Sequence, residues 1–122
     1  MRIAEMWLIE AEAKARLGEA DAGDILYTLQ KNRDTQAVAS GNTGQALINE
    51  ILLERRKELF GEIGINYLDL KRLGLPLERS VGHPLVYRLS IPGNSDRFTL
   101  KIPQAEIDAN ESLTNADKNS VA

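Results

Sequence analysis

Between Glu54 and Arg72 the chain reads ERRKELFGEIGINYLDLKR, fixed charges set among large apolar residues at helical spacing. Ile48, Ile51, Leu52, Leu59 and Ile63 fall on one stripe of an amphipathic helix, and Arg55 and Arg56 interrupt that stripe where aliphatic side chains are expected. A guanidinium removed from water without an acceptor is strongly destabilising, so a carboxylate is expected against it, drawn from Glu54, Glu58, Glu62 or Asp69. The pattern predicts a structural ion-pair network of Glu54, Arg55, Arg56, Glu58, Asp69 and Arg72 inside a helical scaffold. The fold class that follows is mainly α.

Upstream, residues 2–17 carry Ile3, Ala4, Met6, Trp7, Leu8, Ile9, Ala11, Ala13, Ala15 and Leu17 without a breaker, which predicts a helix stopped by Gly18. A second helix is expected from Asp21, as N-cap, to Arg33, with Ala22, Ile25, Leu26 and Leu29 on one face. The pair should form an antiparallel hairpin. Trp7, Ala11, Gly18, Gly23 and Tyr27 stand where a tetratricopeptide unit carries its aromatics and its small contact residues, so the hairpin is tetratricopeptide-like. Such a unit needs neighbours to cover its faces, which makes self-association of this chain an expectation as well.

Residues 34–44 are polar and read as a loop, with Thr43 placed to cap a third helix from Gly44 to about Gly61. A short fourth helix carrying Tyr67, Leu68, Leu70 and Leu73 should end at Gly74 and Pro76. The organisation expected is a helical part over 1–76 and an irregular, loop-rich segment over 77–122 that packs on the helices. Within that segment, 77–95 reads as a surface loop with one or two extended pieces. Phe98, Leu100 and Ile102 alternate as in a strand, and Pro103 opens a helical turn over 104–108. The tail from Asn110 is polar, anchored by Leu113 and Val121 alone, and its end is expected to be weakly ordered.

Composition closes off several classes of function. The net charge is −3, with basic residues interleaved among acids, so no positive field exists to neutralise phosphates, and nucleic acid is excluded as a partner. Without cysteine there is neither a disulfide framework nor a thiolate metal site, and the single histidine, His83, beside Pro84, builds no His-based metal site. No G-x-S-x-G, phosphate-cradling glycine loop, H-E-x-x-H or calcium-loop pattern occurs. Neither a catalytic residue nor a cofactor is expected, and the chain reads as a non-enzyme.

The central motif is similar to "I-x-x-ERR-x-EL-x-x-E-G-x-R-x-x-DLKR", a pattern of the C-terminal part of the SusD/RagB family, surface glycan-capture lipoproteins of Bacteroidetes. Ile51, Glu54, Arg55, Arg56, Glu58, Leu59, Gly64, Asp69, Leu70, Lys71 and Arg72 match it. RIAEMWLIEAEAKARLGEADA and FTLKIPQAEIDANESLTN resemble two further family segments in the same order. The chain departs from the pattern at Ile63, where a Glu is usual, and at Asn66, where an Arg is usual. The resemblance implies the C-terminal scaffold portion of a lipoprotein that captures a glycan at the cell surface and delivers oligosaccharide to a TonB-dependent outer-membrane transporter of the SusC-like kind. It also implies a surface-exposed outer-membrane location, lipid-anchored through a segment upstream of Met1. The alternative reading is a free-standing tetratricopeptide-like adaptor.

Glycan binding uses exposed aromatic platforms, and the chain offers Trp7, Tyr27, Phe60, Tyr67, Tyr87 and Phe98. Most lie on apolar helical stripes. Tyr87, in the irregular segment with Arg88 and Asn94 near it, is the candidate ligand-binding residue.

Overall fold

Ala4, Leu8, Ala11 and Ala15 recur every three or four residues along one side of the first helix, and all four are buried. The computed structural model describes residues 2–62 and 64–117. Helix α1 runs Ile3–Leu17 and α2 runs Ala22–Arg33. Gly18 ends α1 in the left-handed conformation at φ 77°, and the N–H groups of Gly18 and Glu19 return to the carbonyls of Ala15 and Lys14. The short connection turns the chain back, so α2 lies antiparallel to α1, the helix pair expected from the sequence.

Helix α3, Gly44–Glu58, packs on α1 as well, and the three helices share one core. Leu26 and Leu29 of α2 and Leu47, Ile48 and Ile51 of α3 meet the alanine side of α1, with Trp7, Ile25 and Leu52 half-buried at the edge. Small side chains on α1 let both partners approach closely. Leu8, Leu26 and Ile51 are almost wholly removed from water, which stabilises the fold by about 1.5–3 kcal/mol each.

The helix starts differ from expectation. Asp21 occupies the N-cap position of α2, yet its carboxylate is taken by Lys14 rather than by the helix N–H groups. Thr43 likewise makes no side-chain cap to α3. The loop ahead of α3 is held instead by Glu50, which accepts hydrogen bonds from Ser40 Oγ at 2.5 Å and Asn42 Nδ2 at 2.8 Å.

The third helix stops at Glu58, short of Gly61, and glycines with positive φ at 61 and 64 break the chain before helix α4, Ile65–Leu73. Two compact units result, Met1–Ile63 and Gly64–Ala122. That grouping places α4 with the C-terminal segment, whereas composition alone suggests a line after Pro76.

In the second unit, strands β1, Leu77–Arg79, and β2, Leu89–Ile91, form an antiparallel hairpin with Leu77 opposite Ile91 and Arg79 opposite Leu89. The alternation at Phe98, Leu100 and Ile102 does not make a strand. Residues 96–98 form a 3-10 turn, Phe98 is buried, and Leu100 is exposed. A period of two is realised only where another backbone lies alongside, and β1 and β2 pair with each other. Pro103 then precedes helix α5, Gln104–Ala109, whose Ile107 is buried. Leu113 is half-buried, while Val121 and the end of the tail lie outside the described residues.

Candidate functional site

Charged side chains from three helices converge in the first unit. Arg33, in the last turn of α2, forks onto Glu58 at the end of α3, Nε to Oε2 at 2.9 Å and Nη2 to Oε1 at 2.6 Å. Arg2, just ahead of α1, lies 3.7 Å from the same Glu58 Oε1 and also pairs with Glu62. The Glu58 carboxylate is only 7% exposed. Hydrogen bonds from Arg33 hold its pKa below the usual carboxylate value; burial opposes them, and the positive charges of Arg33 and Arg2 add to the lowering.

Arg55 is buried and reaches Glu5 of α1, Nη2 to Oε1 at 3.2 Å, a partner fifty residues away that helical spacing does not disclose. Glu54 is buried beside it and accepts from Lys57 Nζ at 3.1 Å and Gln30 Nε2 at 3.4 Å. Arg56, expected in the same buried network, is exposed. Leu47, Ile48 and Ile51 define the inward side of α3, Glu54 and Arg55 fall on its two flanks, and Arg56, about a further 100° round the helix, falls on the side facing water. Asp69 and Arg72 pair three residues apart on α4, Nη2 to Oδ1 at 3.1 Å. The sequence motif thus contributes Arg55 and Glu58 to an assembly whose other members, Arg2, Glu5 and Arg33, sequence reasoning missed. The available signal was their position at helix ends, where a charge serves both the helix dipole and a neighbouring helix.

Such an arrangement ties helix ends together by charge-assisted hydrogen bonds. Among the described residues no group of three His, Cys, Asp or Glu side chains could hold a metal ion. Two open clefts occur in the same unit. One, of about 280 Å³, lies by the α1–α2 turn and is lined by Glu19, Asp24, Asn42 and Thr43 among others. The second, of about 210 Å³, is lined by Trp7, Glu10, Ile25 and Thr28, which sets Trp7 at a surface groove between the paired helices.

The aromatics divide unexpectedly. Phe60, read as part of an apolar stripe, is 83% exposed in the turn that follows α3. Tyr67 is anchored: its hydroxyl donates to the Phe98 carbonyl at 2.6 Å, and its ring lies 5.9 Å from that of Phe98. Tyr87 stands 61% exposed at the end of a 3-10 turn, Leu85–Tyr87. Its expected polar neighbours are otherwise engaged. Arg88 donates to the carbonyls of His83 at 2.9 Å and Val81 at 3.4 Å, and Asn94 sits against Gly74. His83 is an exposed loop residue.

Among the described residues no helix is long and apolar enough to cross a membrane. The family model described as the SusD family matches residues 1–119. The crystal structure of a SusD-like carbohydrate binding protein from Bacteroides vulgatus superposes with a TM-score of 0.76 at 28% sequence identity, covering 100% of this chain. This chain spans 30% of the length of that relative. No curated protein matches it.

Proposed function

This chain belongs to the SusD family, and on that premise we propose that it is the C-terminal scaffold portion of a cell-surface glycan-capture lipoprotein. The parent protein binds a glycan and passes the oligosaccharide to a TonB-dependent transporter in the outer membrane, where a lipid on an upstream segment anchors it. The role is binding, not catalysis. The observation that carries this reading is the family match along nearly the whole chain, supported by the likeness to a carbohydrate binding protein.

The ion-paired helix ends are the brace of that scaffold. Arg33, Arg2 and Glu58 lock α2 and the start of α1 to the end of α3, and Arg55 with Glu5 adds a partly desolvated pair between α3 and α1. Glu54 and the Asp69–Arg72 pair complete the set of fixed charges. Tyr87, the most exposed of the three tyrosines, is the residue of this chain assigned to the ligand.

The test is a glycan array probed with the intact parent, followed by calorimetry on the sugars retained and by affinity isolation of a tagged parent from outer membranes. Saturable binding of a glycan and co-isolation of a transporter barrel are expected. A parent that binds no glycan and isolates alone would refute the assignment.

A further inference from the structure

Residues 38–42 connect α2 to α3, and among the described residues every hydrogen bond that ties them to a helix ends on Glu50. Ser40 Oγ donates to Glu50 Oε2 at 2.5 Å, and Asn42 Nδ2 donates to the same oxygen at 2.8 Å. Ser40 Oγ also accepts from the Asn42 N–H at 3.1 Å, so the two donors are fastened to each other. The Gln30 side chain of α2 hydrogen-bonds the Glu50 carboxylate as well. One half-buried carboxylate thus joins α2, α3 and the segment between them. That segment is also a wall of the 280 Å³ cleft, where Ser40, Gly41 and Asn42 share the lining with Ala15, Gly18 and Gly23.

We infer that residues 38–42 form an acid-released strap: the Glu50 carboxylate latches them to α3, and its protonation frees the strap and opens that cleft wall while the helices stay folded. The inference concerns bonds within the first unit and does not depend on the glycan or transporter reading. Ser40, Asn42 and Gln30 all present donors, which suits an ionised carboxylate, an acceptor at both oxygens. A neutral acid turns one oxygen into a donor, and the bonds that remain are no longer charge-assisted. Nothing charged offers a second attachment, because Thr35 to Thr43 contains no Asp, Glu, Lys or Arg. Nor does release disturb the core. Leu26, Leu29, Leu47, Ile48 and Ile51 all lie outside the strap, so it opens as a local unit.

The direction of the pH response follows from the surroundings of Glu50. Burial raises its pKa, but hydrogen bonds from Ser40, Asn42 and Gln30, with the positive charge of Lys57, outweigh burial and hold it below the ordinary 4.5. Glu54, one turn along α3, shares Lys57 and Gln30. A lowered pKa means that the latch is fully closed above 4.5 and is lost as the pH falls below that value and through the folded pKa.

The experiment follows a nitroxide label on Ala39→Cys, with a reference label on Ala13→Cys in α1, in a lipid-free, cysteine-free form of the intact parent. Spin-label mobility and the circular dichroism of the helices are recorded from pH 7 to 3.5. The mobile fraction at Ala39 is expected to rise about ten-fold on acidification, the change produced by losing a hydrogen bond to a charged acceptor. The Ala13 label and the helix signal should hold. Glu50→Gln and the double variant Ser40→Ala/Asn42→Ala should loosen the Ala39 label already at pH 7, where no acid acts on the rest of the protein, and Glu50→Gln should then respond little to pH. A label at Ala39 that stays immobile at pH 3.5 overturns the inference. So does loosening at Ala39 and Ala13 together, which is general unfolding, or a Glu50→Gln variant whose strap is as immobile at pH 7 as that of wild type.

Discussion

Gly93 rests on Gly74 with no room between them: a β-carbon at Gly93 would overlap the Gly74 carbonyl oxygen and lie 2.8 Å from its carbonyl carbon. Gly74 itself holds φ 62° at the end of α4, and a β-carbon there would stand 2.9 Å from the Asn94 side chain. The two glycines close the base of the β1–β2 hairpin by direct backbone contact. Gly93→Ala is therefore expected to destabilise the second unit by about 1–3 kcal/mol. Gly41→Ala, where the added carbon meets nothing within 4 Å, should stay within about 0.5 kcal/mol of wild type. Urea midpoints of the two variants check this, and equal midpoints would refute the close-contact account.

Arg55 and Arg56 are neighbours in sequence and opposites in environment. Arg55→Ala strands Glu5, whose side chain is 19% exposed, so a cost near the lower end for broken buried pairs is expected, about 2–3 kcal/mol. Arg56→Ala removes a charge from water and should cost about 0.5 kcal/mol or less. Chemical denaturation at neutral pH measures both, and an Arg56 variant as unstable as the Arg55 variant would contradict the orientation described.

Helix positions were legible in the sequence wherever periodicity and a stop signal agreed, as in α1 with its alanine side and Gly18. The partner of Arg55 was not, because spacing reports neighbours three or four residues away, whereas Glu5 arrives from another helix through the fold. The same limit explains Phe98, Leu100 and Ile102, whose alternation suits a strand but which, among the described residues, lie outside the two-stranded sheet. Asp21 misled for a different reason: a good capping residue was drawn off by Lys14, a competing partner that a position-by-position reading does not weigh. The loop-like composition around Tyr87 left its exposure open, because a tyrosine in such a segment packs on a neighbouring helix as readily as it faces water, and the order of that loop depends on Arg88 folding back on two carbonyls.

The Tyr67 hydroxyl joins α4 to the buried Phe98 through a carbonyl bond of 2.6 Å. Tyr67→Phe keeps the ring contact and deletes that donor, so a loss of about 1 kcal/mol is expected. Amide exchange around Phe98 should rise in the variant more than exchange in α1. Uniform exchange across both units would argue that the bond carries no local stability.

Glu58 supplies the pH dependence. Its folded pKa is lowered, chiefly by hydrogen bonds from Arg33 and secondarily by the charges of Arg33 and Arg2 acting against burial. A carboxyl that binds its proton less readily in the folded state contributes stability that is complete above its ordinary value of 4.5 and declines as the pH falls below that value and through the folded pKa. Acidification from neutral pH should leave the melting temperature little changed until about that point and lower it steeply beyond. Glu58→Gln removes the titrating group while retaining an acceptor for Arg33, so the variant should start less stable at neutral pH and lose less on acidification. Glu50 is lowered as well, its burial outweighed by hydrogen bonds from Ser40, Asn42 and Gln30, so some acid sensitivity should persist in the Glu58 variant. Melting curves collected from pH 7 to 3 decide the matter: an unaltered pH profile in Glu58→Gln would mean that the Arg33 fork does not contribute to the stability of the helix triad.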